Sequence, residues 1–105
     1  MEMNEFTIQR IAAMEAAFDR TALAVRMLES ALDTYETVKV DIDRLTEYLE
    51  SGAWREDFEA DEAGLLPADL KRGVLSEDGI YDVLNAHYGL TVRLLDTVSS
   101  ILKNR

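Results

Sequence analysis

The sequence predicts an all-α fold, a small antiparallel helical bundle, and three observations lead there. Gly and Pro are absent from Asn4 through Ser51. Over that stretch apolar residues recur at steps of three and four, the period of one helix face. No segment shows the strict apolar–polar alternation of a half-buried strand. The chain has 105 residues, the size of one domain, so a single helical domain over residues 1–105 is expected.

The first helix is expected over residues 4–35. Ile11, Met14, Phe18, Val25, Leu28, Leu32 and Tyr35 form a heptad-like seam, with Thr21 filling its one gap. The pattern continues through Val38, Ile42, Leu45 and Leu49, but its phase slips. Leu32, Tyr35 and Val38 are separated by two successive steps of three, which overwinds a coiled-coil seam. Weak helix formers cluster there: Thr34, Thr37, Val38, Val40, Asp41 and Asp43. One continuous helix of about 45 residues would be roughly 68 Å long. The favoured alternative is a turn near Tyr35–Val38 and a shorter second helix over residues 38–50, with Asp41 as a possible N-cap.

Ser51-Gly52 is a stop signal, since Gly supplies the left-handed C-terminal conformation. A connector over residues 51–76 follows, punctuated by Gly64, Pro67 and Gly73. Pro67 suits the first turn of a short helix over residues 68–71. Trp54, Phe58, Leu65, Leu66, Leu70, Val74 and Leu75 can anchor the connector, so it is expected to be ordered and packed over the helices. Ser76 reads as the N-cap of a last helix over residues 77–102, with Glu77 and Asp78 suiting the positive end of its dipole. Its seam is Ile80, Leu84, His87, Thr91, Leu94, Val98 and Ile101. Gly89 in its middle is a candidate for close helix approach.

Composition narrows the function classes. The formal net charge is -10, which opposes direct binding of a phosphate backbone. Cysteine is absent, so disulfides, thiol catalysis and Cys-type zinc sites are excluded. The N-terminus carries no signal-peptide pattern, and no apolar run approaches the ~20 residues of a membrane helix. A cytoplasmic protein without membrane contact is expected.

No catalytic, cofactor-binding or metal-ligating residue is assigned. His87 lies alone on a seam, and no nucleophile triad or phosphate-binding Gly loop is legible. The acidic run Glu56, Asp57, Glu59, Asp61 and Glu62 lacks the ligand alternation of a calcium loop and reads first as a solvated face. The segment Asp69–Asp78 is the best functional candidate. There Lys71 and Arg72 sit beside a tight turn at Gly73 and a helix N-terminus at Ser76, an arrangement that can dock a partner or hold an anion. The competing reading is a self-satisfied turn, with Arg72 bridging to Asp57, Asp61 or Asp78. The candidate interaction surface is therefore Trp54, Asp57, Asp61, Glu62, Asp69, Lys71, Arg72, Ser76, Glu77 and Asp78. On the first helix Phe6, Ile8, Ile11, Ala12, Met14, Ala16, Ala17 and Phe18 exceed one narrow stripe, which predicts a homodimer through that helix.

The stretch from Leu66-Pro67-Ala68-Asp69-Leu70-Lys71-Arg72-Gly73-Val74-Leu75 to Ser76-Glu77-Asp78-Gly79-Ile80-Tyr81-Asp82-Val83-Leu84 resembles the signature of a small bacterial family, domain of unknown function 4298. Ser51-Gly52-Ala53-Trp54 and Asp61-Glu62-Ala63-Gly64 look like its second motif. The resemblance implies a bacterial origin and a short stand-alone protein, and it supplies no activity. The expected function is a non-enzymatic protein-interaction or adaptor module with a protein partner. Two alternatives remain: a regulator or enzyme binding a metal or small anion through Asp57, Asp61, Glu62 and Arg72, and an acidic nucleic-acid mimic.

Overall fold

The computed structural model describes residues 4–76 and 78–104. It contains three α-helices, α1 (Glu5–Glu50), α2 (Ala53–Glu62) and α3 (Gly79–Lys103), with a single 3-10 turn at Gly73–Leu75 between the last two. Among the described residues there is no strand. The fold is all-α, with a long N-terminal helix, a short second helix and a long C-terminal helix.

The turn expected near Tyr35–Val38 is not formed, because α1 runs through it without a break. β-Branched residues and Asp cost a helix only tenths of a kcal/mol each, and no Gly or Pro adds to that cost. The Thr hydroxyls are also absorbed by the helix. Thr37 Oγ1 donates to the Thr34 carbonyl at 2.6 Å, and Thr46 Oγ1 to the Ile42 carbonyl at 3.0 Å. Asp41 caps nothing and instead lies 3.6 Å from Arg44 on the exposed surface. α1 ends where Gly52 takes φ 88°, a conformation that suits Gly and few other residues.

The short second helix therefore lies inside the expected connector, at Ala53–Glu62, and not over residues 38–50. Trp54 and Phe58 are one helical turn apart and share its inward face. Its end is a Schellman motif. Gly64 N donates to the Asp61 carbonyl and Leu65 N to the Ala60 carbonyl, both at 3.0 Å, with Gly64 at φ 72°. The short helix expected over residues 68–71 is only a turn, closed by Leu70 N on the Pro67 carbonyl at 3.2 Å. α3 starts at Gly79, two residues later than expected. A Cβ added at Gly89 would meet nothing within 4 Å, so no close approach occurs there.

By internal contacts the chain divides into two units, Met1–Lys39 and Val40–Arg105. In the first, α1 has no buried residue. In the second, Trp54, Leu75 and Ile80 are buried at 9%, 6% and 2% exposure. Leu45, Tyr48, Leu49, Phe58, Leu66 and Leu84 pack around them. Within this unit the 3-10 turn touches both α2 and α3.

Candidate interaction surface

The residues picked out by sequence lie in the second unit, where Trp54 is buried, Asp61 and Arg72 are half-buried, and Asp57, Glu62, Asp69, Lys71, Ser76 and Asp78 are exposed. Trp54 is the centre. Its Nε1 donates to the Val74 carbonyl at 2.8 Å, tying α2 to the 3-10 turn. Its ring stacks on Phe58 at 5.0 Å and meets Tyr81 edge-on at 6.3 Å. A buried indole with its N–H satisfied is a core anchor and is not available as a docking hot spot.

Arg72 is the second staple. Its Nη1 donates to Asp61 Oδ1 at 2.5 Å, and Nη2 reaches the carbonyls of Pro67 at 3.0 Å and Ala68 at 3.3 Å. One half-buried guanidinium thus closes the loop between α2 and the 3-10 turn. Of the three carboxylates that could have paired with Arg72, the fold uses Asp61. Asp57 is taken instead by Tyr48, whose hydroxyl donates to Oδ2 at 2.5 Å. Loss of solvation around the Tyr48 ring, and then the Asp57 carboxylate, push the phenol up to about 12.

Ser76 is the third staple. Its Oγ donates to the Gly73 carbonyl at 2.8 Å and accepts from Gly79 N at 3.1 Å. The hydroxyl joins the end of the 3-10 turn to the start of α3, a capping role within a tight corner. A Cβ at Gly79 would collide with Ser76 Oγ and lie 2.9 Å from the Gly73 carbonyl oxygen, so this corner requires Gly. Asp78 is exposed, and its carbonyl accepts from Asp82 N at 2.8 Å. Glu77 lies outside the described residues.

Glu62, Asp69 and Lys71 remain on the exposed surface. Among the described residues, no three acidic or His side chains are grouped so as to hold a metal ion. No described helix is long and apolar enough to cross a membrane. Sequence reasoning named Val74, Leu75 and Ile80 as packing residues but missed the Tyr48–Asp57 bond and the use of the Val74 carbonyl. Leu75 and Ile80 carried an apolar signal, whereas the Val74 carbonyl carries no side-chain signal at all.

A family model described as Domain of unknown function (DUF4298) matches residues 11–97. The chain belongs to this family. No curated protein and no solved structure matches it. The DUF4298 signature residues of this chain now have physical roles: Arg72 pairs with Asp61, Gly64 ends α2, Leu75 and Ile80 fill the core, and Ser76 with Gly79 makes the corner. In this protein the signature specifies a folded hub.

The exposed apolar surface lies elsewhere. On α1 before Lys39, Phe6, Ile11, Met14, Phe18, Val25 and Leu28 are all exposed, Phe6 at 78% and Phe18 at 67%. On α3 the residues from Tyr88 onward are exposed, including Leu94, Leu95, Val98, Ile101 and Leu102. Ala17, Arg20, Thr21, Ala24, Val25 and Leu28 border a shallow depression along α1.

Proposed function

We propose that this DUF4298 protein is a non-enzymatic protein-interaction module of the bacterial cytoplasm, in which a small self-contained hub presents long helices for docking. The observation that carries the reading is the uncovered seam of α1. No residue of that helix is buried, and its apolar positions from Ile11 to Leu32 are exposed at heptad spacing. Contiguous apolar surface of this kind marks a protein interaction site. A helix also gains most of its stability by packing an amphipathic face, which α1 before Lys39 does not do alone.

The docking surface is thus the apolar faces of α1 and α3, not the Asp69–Asp78 corner. Capture from the native cell with purified wild type, Leu28→Glu and Leu94→Glu as bait tests this. Partners lost with either variant support the reading. The same partners at the same yield on all three baits contradict it.

A further inference from the structure

The continuity of α1 changes what the phase slip near Tyr35–Val38 means. Beyond the slip, Ile42, Leu45 and Leu49 are half-buried, and Leu45 and Leu49 pack against the Trp54 core. Before it, Ile11, Met14, Phe18, Val25, Leu28 and Leu32 are exposed. The slip is therefore a change of partner: the apolar stripe moves around the helix where it stops serving the hub. A seam that keeps one heptad phase up to that point and shifts phase where the hub begins is shaped for a coiled-coil neighbour.

In heptad terms Ile11, Phe18, Val25 and Leu32 are a positions, and Met14, Thr21, Leu28 and Tyr35 are d positions. The flanking e positions hold Glu15, Ala22, Glu29 and Glu36. The flanking g positions hold Arg10, Ala17, Ala24 and Ala31. Helix orientation decides which of these meet. In an antiparallel pair e faces e, so the acidic positions Glu15 and Glu29 would oppose each other across the seam. In a parallel pair g faces e of the next heptad. Arg10 then meets the partner subunit's Glu15, twice by symmetry, and the remaining Glu side chains face Ala. β-Branched Ile11 and Val25 at a, with Leu28 at d, point the same way, toward two parallel strands. Thr21, the polar d residue, does not oppose burial, because its Oγ1 already donates to the Ala17 carbonyl at 2.7 Å.

We propose that a second copy of this chain covers the α1 seam, as a parallel, in-register coiled coil from Ile11 to Tyr35. This rests on the interaction-module reading and names its first partner. The occupant is chosen by charge: an e edge rich in Glu is matched by a g edge that carries Arg and Ala and no acid.

The absence of cysteine makes the test clean. Ile11→Cys and Leu32→Cys are made singly in the full chain, oxidised under mild conditions, and compared with a mass measurement of the reduced protein. In a parallel pair each a position faces itself, so both variants crosslink to dimers and the reduced mass is twice that of one chain. An antiparallel pair cannot bring both Ile11 and Leu32 against their own copies, so a dimeric mass with at most one crosslink overturns the proposal. A monomeric mass without crosslinks also overturns it. Arg10→Glu should raise the dimer dissociation constant roughly tenfold, and Arg10→Glu with Glu15→Arg should restore it. An unchanged constant in Arg10→Glu contradicts the charge argument. Failure here is distinguishable from failure of the interaction-module reading. A monomer that still captures partners through Leu28 or Leu94 keeps the module and loses the dimer, and crosslinking with seam-independent capture does the reverse.

Discussion

The hub around Trp54 and the first thirty-odd residues of α1 use similar apolar content to opposite ends. In the hub, each large side chain near Trp54 has a neighbour, and no described buried side-chain polar atom lacks a hydrogen bond. In α1 before Lys39, Phe6, Phe18 and their neighbours are exposed, and Thr21 is bonded locally to the Ala17 carbonyl. Apolar patterning alone therefore does not say what a segment packs against. Punctuation does. The hub has Gly52, Gly64, Pro67, Gly73 and Gly79, which fold the chain back on itself, and the α1 extension has none.

If the hub is one cooperative unit, its variants should rank by what they remove. Trp54→Ala deletes the central ring and leaves the Val74 carbonyl without its donor. It should cost about 3–5 kcal/mol in denaturant unfolding, enough to abolish cooperative unfolding of a small domain. Arg72→Met leaves Asp61 and two loop carbonyls unpaired and should cost about 1.5–3 kcal/mol in the same measurement. Gly79→Ala forces the Ser76 corner apart and should cost about 1–2 kcal/mol, read as a lower denaturation midpoint with an unchanged slope.

Tyr48 sharpens the comparison through pH. Its phenol lies at about 12 in the folded chain against an ordinary 10.0. The folded state therefore holds the proton more tightly than the unfolded state does. The corresponding stability is complete below pH 10 and is lost as pH rises toward 12. Denaturant midpoints measured across that range should fall in wild type and fall less in Tyr48→Phe. At neutral pH that variant should cost only about 0.5–1 kcal/mol, the worth of one hydrogen bond. The smallest effect on the hub should come from Phe18→Ala, within about 0.5 kcal/mol for hub unfolding of the separated chain. The same change should weaken self-association most, since Phe18 sits in the middle of the seam.

Much of the fold was legible in the sequence, and the misreadings have physical causes. The long seam, the stop at Gly52 and the anchoring role of Trp54 followed from period and punctuation. The expected turn at Tyr35–Val38 gave too much weight to propensity. Thr, Val and Asp weaken a helix, but only Gly, Pro or a competing cap ends one. α2 was hidden because its acidic run reads as a solvated loop, although Trp54 and Phe58 one turn apart and Gly64 just past its end carry a helix signal. The candidate surface was found as a place, and within it Trp54, Arg72 and Ser76 have internal hydrogen-bond partners that the sequence did not specify. Arg72 was read as able to pair with Asp57, Asp61 or Asp78, but only the three-dimensional path of the loop selects Asp61. The bond from Trp54 to the Val74 carbonyl has no sequence signal, because every residue carries a carbonyl.

The central claim is that the hub folds on its own contacts whereas the α1 seam is covered by a second copy. Amide hydrogen exchange, followed at protein concentrations well below and well above the dimer dissociation constant, tests it most directly. Protection from Ile11 to Tyr35 should rise with concentration, while protection of the backbone from Trp54 to Leu84 stays constant. Protection that is independent of concentration in both regions, with the α1 amides as slow as those of the hub at the lowest concentration, would contradict the account.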